Sequence, residues 1–172
     1  MIKVSVQVER DDLIKIASAL NKVNNVVYNA ARRLPYRMAI EYSDMLRQNI
    51  QQGTFSGMYK PYNKKYAEYK QLMVGHLRFW VLFGDVLASI SVFKHGNGFM
   101  GGIPAGKMDR GEKGWYGTGK PSSIAAYARA NEFGEGPTPA RPVFRPTFAQ
   151  FKRDRLGKFE KETYEDIRRW WR

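Results

Sequence analysis

The longest ordered pattern in the sequence is helical, and it limits what the chain can become. From about Val26 to Gln52, the residues Val27, Ala31, Leu34, Met38, Tyr42, Met45 and Asn49 recur at three- and four-residue spacing, and only the last is polar. Such spacing lays an apolar face along one long helix. Pro35 stands inside the pattern, where it removes a backbone donor and crowds the preceding turn, so a kink is expected there. Gly53 ends the helix. A shorter helix is expected before it: Asp11 offers an N-cap, Leu13, Ala17, Leu20 and Val23 follow at helical spacing, and Asn24-Asn25 marks a break. Further upstream Ile2, Val4, Val6 and Val8 alternate with polar residues, the period of a strand.

The later part of the chain is more broken. Residues 54–78 are rich in Tyr and Lys. Tyr62, Tyr66 and Tyr69 keep helical period, so an amphipathic helix with inward tyrosines and solvated lysines is the simpler expectation; stacking of nucleobases beside neutralised phosphates is the other. Leu87 to Phe93 reads as a strand, Gly96-Asn97-Gly98 as a turn, and Phe99 to Ile103 as the returning strand. A long Gly-rich loop follows at about 104–121, carrying Lys107, Arg110, Lys113 and Lys120, and is expected to order on a partner. Ser122 or Ser123 then caps a helix with Ile124, Tyr127, Ala128 and Asn131, stopped by Gly134. Pro139, Pro142 and Pro146 favour an extended connector, and Phe148, Phe151, Phe159, Ile167 and Trp170 mark a final helix. The expected fold is α+β: a small, mostly antiparallel sheet packed with helices, one of them long and kinked, and a C-terminal helix. The 172 residues are expected to form a single domain.

Composition excludes several function classes. There is no cysteine, so disulfides, thiol catalysis and cysteine-ligated metals are out. Ten Phe, ten Tyr and four Trp argue against wholesale disorder. The most apolar window, Phe79 to Phe93, is broken by Gly84 and Asp85 and falls short of the ~20 residues a membrane span needs, and the first residues alternate rather than form a signal peptide; a soluble protein is expected. The net charge of +13 suits a partner with negative charge. It is spread evenly along the chain rather than gathered in a polybasic tail.

Catalytic signals are weak. Gly101 to Lys107 and Gly114 to Lys120 match the first seven positions of a phosphate loop, but Met108 and Pro121 stand where its hydroxyl belongs. His76 and His95 lack a second ligand at helical spacing, so no metal site is expected. Ser89 and Ser91 fall on the expected strand without a nucleophile elbow, and Glu132 and Glu135, beside Gly134 and Gly136, read as turn residues. No enzyme and no cofactor are expected. Trp170 and Trp171 cannot both point inward from one helix, so one of them is expected to meet a neighbour.

Glu132-Phe133-Gly134, followed by Pro139-Ala140-Arg141-Pro142-Val143-Phe144-Arg145-Pro146, resembles the C-terminal signature of tailed-phage neck and tail-completion proteins, a group that includes the Mu-type virion morphogenesis proteins and the head–tail joining family. In that signature a helix ends in Glu-Phe-Gly and a short loop leads to a Pro-Ala-Arg-Pro-Phe-like strand. Leu82 to Ile90 resembles the family's Gly-x-Leu-x-x-Ser-Ile segment, and Tyr62 to Lys70 its Tyr-and-Lys segment. Asn131 stands where the family often has histidine.

The resemblance implies a structural virion protein: a homo-oligomeric ring at the neck that completes the tail, as a joining protein or tail terminator, and connects it to the head with DNA passing through. The implied partners are other copies of the chain, connector and neck proteins, the tail tube or terminator, and DNA held without sequence reading; no membrane is implied. Its place would be the virion, after assembly in the host cytoplasm. Glu132, Phe133, Gly134, Arg141, Phe144, Arg145, Trp170 and Trp171 are the implied interface residues, with the loop cations facing DNA or a partner. Arg141 and Arg145, four apart, can reach carboxylates of a neighbouring subunit; equally, the motif can close the chain's own sheet. Two rivals stand beside this: a free-standing basic nucleic-acid-binding protein, and a hydrolase or nucleotide-binding enzyme suggested only by the loop glycines.

Overall fold

The computed structural model describes residues 10–80, 85–105, 123–135 and 138–171. The fold is α+β: mostly helical, with a two-stranded antiparallel sheet, a long kinked N-terminal helix and a C-terminal helix. The alternating segment before residue 10 and the Gly-rich stretch with Lys107, Arg110, Lys113 and Lys120 lie outside the described residues.

Helix α1 runs unbroken from Arg10 to Gln52 with Pro35 inside it. The break expected at Asn24-Asn25 is absent, and Asp11 is the helix's second residue rather than its cap. Asparagine costs a helix only a fraction of a kcal/mol against its neighbours, and no glycine or proline adds to that cost here, so the apolar residues on either side carry the helix through. Gly53 stops it at φ +65°. A single 3-10 turn, Ser56–Met58, leads to α2, Lys64–Val74. Asn63 caps α2 by accepting from the Tyr66 amide at 2.9 Å.

The segment expected as a strand from Leu87 splits in two. Its first part is a short helix α3, Asp85–Ser89, and strand β1 begins only at Ser91 and ends at His95. Val86, Ser89 and Ile90 are all buried, a three- and four-residue spacing that a helical turn satisfies and an alternating strand does not. Ser89 therefore lies in a helix, not on a strand face. The turn at Gly96-Asn97 joins β1 to β2, Gly98–Gly102, in the register Ser91 to Gly102 and His95 to Gly98. Strand β2 lies flush on α1: a Cβ at Gly101 would run into Ser43 Oγ and come within 2.6 Å of the Ala39 carbonyl oxygen.

Helix α4, Ile124–Phe133, has Ser123 as its cap and Gly134 at φ +78° as its stop. The proline-rich stretch stays outside a helix only as far as Val143. Helix α5, Phe144–Asp154, already contains Arg145 and Pro146, and the expected final helix is two, since the backbone breaks at Arg155 before α6, Leu156–Trp171. Pro146 is the third residue of α5, where a missing amide costs nothing. The main core joins Leu46 and Ile50 of α1 to Trp80, Val86, Ile90, Ile124, Ala128 and Val143. Beside it Phe151 and Phe159 pack at 6.1 Å, and Asn49, the one polar residue on the α1 face, is buried and donates to Thr147 Oγ1 and Gln150 Oε1, both at 3.0 Å. No helix among the described residues is long and apolar enough to cross a membrane.

Candidate functional site

The motif residues converge. Glu132 is the last residue but one of α4, and its carboxylate turns back over the start of α5. Oε2 accepts from the amides of Val143 at 2.7 Å and Phe144 at 3.0 Å, and Oε1 from the amide of Arg145 at 2.9 Å. A helix start leaves its first amides unpaired. Here one carboxylate takes three of them, Pro146 has none to offer, and the Thr147 amide reaches back to the Val143 carbonyl at 3.1 Å. The negative charge also sits where the helix dipole favours it. Arg145 closes the arrangement, with Nε on Oε1 at 3.2 Å and a terminal nitrogen on the Glu132 carbonyl at 3.1 Å. Gly134 makes the turn between these parts: a Cβ there would meet the Ala140 nitrogen at 2.9 Å.

Arg141 goes inward. It is 5% exposed, and its guanidinium lies 4.5 Å from the Tyr62 ring centroid and 5.1 Å from that of Phe79. Its backbone is pinned at both ends. The amide donates to the Asn131 carbonyl at 2.6 Å, and the carbonyl accepts from Trp80 Nε1 at 2.9 Å. Trp80 is buried with φ +64°, a conformation an aromatic residue adopts only when its surroundings enforce it. Tyr59 adds a bond to the Pro142 carbonyl at 2.7 Å, and burial, with the Glu132 charge second, pushes its hydroxyl up to about 12. Tyr42, bonded to the Phe144 carbonyl at 3.2 Å, is raised further by the same two causes.

The expectation that both arginines reach a neighbouring subunit's carboxylates gives way to a division. Arg141 is spent inside the chain. Arg145 is tied to its own Glu132 yet keeps its side chain 61% exposed, with the guanidinium 4.8 Å from the ring of Phe133, itself 59% exposed. Phe144 is partly buried and packs edge-on to Trp80 at 5.6 Å. Trp170 and Trp171 fall in the last turns of α6, apart from this cluster in the chain; their side chains lie outside the described residues. Glu135 pairs instead with Arg129 at 2.9 Å, so it and Glu132 do not face a common substrate position. His76 Nδ1 accepts from the Arg78 amide, and among the described residues no group of three or more His, Asp or Glu could hold a metal ion.

Two features lay beyond sequence reasoning. Lys70, expected in solvent, is 1% exposed. Its ammonium donates to Tyr62 Oη at 3.1 Å and to the Arg78 carbonyl, and burial, then the nearby Arg141 charge, lowers it to about 8. The second feature is a groove of about 1180 Å³ lined by Lys60, Lys64, Lys65, Tyr66 and Tyr127, with Tyr62 and Arg141 in its wall. Tyr62 and Tyr66 meet at 4.8 Å, as the tyrosine spacing leads one to expect, but Tyr62 precedes the helix and Tyr69 is exposed.

No family model, no curated protein and no solved structure matches this chain.

Proposed function

We propose that the chain is a structural virion protein of a tailed phage, assembling as a ring of identical subunits at the neck that completes the tail and joins it to the head. The observation that carries this reading is the split within the motif. Its inner residues, Glu132, Gly134 and Arg141, hold α4, the connector and α5 in one fixed arrangement, while Phe133 and Arg145 remain as an aromatic–cation pair on the surface. Aromatic residues and arginine are the types that most often anchor an interface. A rigid support under an exposed anchor also lowers the ordering cost of association. Ring closure needs two different patches on each subunit, of which this is one.

The test is the mass of the purified protein by light scattering, with particles imaged from the same peak. A closed ring is expected, and Phe133→Ala should weaken its association by ~10-fold or more while the unfolding midpoint stays put. A monomer at all concentrations that also fails to join isolated tails would overturn the reading.

The lysine- and tyrosine-lined groove favours one rival, a nucleic-acid-binding protein. That rival predicts that the single-chain form binds DNA with a steep salt dependence. It also predicts that Lys64→Ala and Lys65→Ala weaken that binding.

A further inference from the structure

The first half of α1 carries an apolar seam that the described residues leave partly exposed. Leu13, Ile16, Leu20, Val23, Val27, Ala30 and Leu34 alternate at three and four residues without interruption. An ordinary helix packed on a globular core follows a 3.6-residue stripe, whereas a sustained 3.5-residue repeat is what two helices wound around each other require. Leu13, Leu20 and Val27 are 55%, 63% and 45% exposed, and Val23, Ala30 and Leu34 are partly buried. Among the described residues, α1 becomes fully buried further along, past the Tyr36–Phe99 contact at 5.0 Å and from Ala39 onward. An exposed apolar run of this extent on a soluble surface marks an interaction site.

The flanks of the seam say what lies on it. The positions beside it are Asp12, Ala17, Ala19, Asn24, Val26, Ala31 and Arg33, charged only at the two ends and there with opposite signs. From Leu13 to Ala31 the charged residues are Lys15 and Lys22, and the heptad register places both away from the seam. A partner of different composition would ordinarily be selected by charges at these flanks. A flank neutral between its ends meets its own copy without repulsion, and α1 supplies a helix with the matching repeat. We infer that this half of α1 pairs, seam to seam, with α1 of another copy of the chain. The inference goes beyond the neck reading and does not depend on it.

The absence of cysteine allows a direct test on the full-length protein. Single variants Leu20→Cys, Val23→Cys and Val27→Cys are oxidised alone and in equal mixtures, beside Asn25→Cys, which the register turns outward. Seam variants are expected to form covalent pairs, like with like if the helices run parallel and mixed if they run antiparallel, while Asn25→Cys forms several-fold fewer. Val27→Asp, which buries an unpaired carboxylate in the seam, should weaken self-association by ~10-fold or more. Far-ultraviolet circular dichroism checks that it still folds. Equal crosslinking at Asn25, an assembly mass indifferent to Val27→Asp, or a single-copy mass at high concentration overturns the inference. The two proposals fail separately. A closed ring that ignores Val27→Asp removes the seam and keeps the neck reading; an open assembly that Val27→Asp dissolves does the reverse.

Discussion

The two halves of α1 are built from the same kinds of residue at nearly the same spacing, and they end in opposite surroundings. After Ala39 the helix disappears into the molecule: Ser43, Leu46, Asn49 and Ile50 are all at most 5% exposed. Before Tyr36 no described residue of it is fully buried, and Leu13, Ile14, Leu20 and Tyr28 are more than half exposed. Apolar periodicity therefore tells that a helix buries a face, and it does not tell against what. What decides is the remainder of the chain. The C-terminal half is covered by β2, α5, α6 and the Trp80 segment; of these, the Trp80 segment and the start of α5 are held by the Glu132–Arg141 arrangement.

The comparison is broken most forcefully at Glu132. Replacing it with alanine strips three amides and Arg145 of their acceptor inside the fold, and should cost about 3–5 kcal/mol, the range for removing one partner from a buried charged network. Leu20→Ala, on the exposed half, should change the stability of the dilute single chain by only about 0.5 kcal/mol. Urea unfolding of the two variants checks both. Similar losses would mean that the exposed half is held by the rest of the molecule after all.

That contrast also explains what could be read from the residues alone. The caps of α4 at Ser123 and Gly134, the turn at Gly96-Asn97 and the stop at Gly53 are set by neighbours within a few positions, and each was legible. The start of α5 was not, because its acceptor sits eleven residues earlier on another helix. Lys70 reads as a surface lysine until Tyr62, Arg78 and Arg141 close around it. Short apolar runs such as 86–90 fit a helical turn and a buried strand alike. Of the candidate site, the motif's residues were found, but not the division between inward Arg141 and outward Arg145, which follows from three-dimensional packing. The seam on α1 was present as spacing, and only its exposure separates it from core.

A smaller effect sharpens the picture on the buried side. Lys70 holds its proton to about pH 8 in the folded chain, against about 10.5 for an ordinary lysine. Below pH 8 folded and unfolded chains are both protonated, and the cost of the buried charge is fully present. Between about 8 and 10.5 the unfolded chain binds more protons, so stability rises with pH across that window. Lys70→Met should flatten this rise, as measured by urea midpoints at pH 7.5, 8.5 and 9.5. Lys15→Met, on the exposed half of α1, should leave it intact.

Hydrogen exchange along α1, followed at low and high protein concentration, tests most directly that the two halves have different partners. The amides of residues 38–52 should be protected at both concentrations. Those of residues 13–33 should exchange rapidly when the mass is that of one chain, since an isolated helix of this length is marginal in water, and should slow as copies associate. Equal protection of both halves in the single chain, or continued rapid exchange of residues 13–33 in the assembly, would contradict the account.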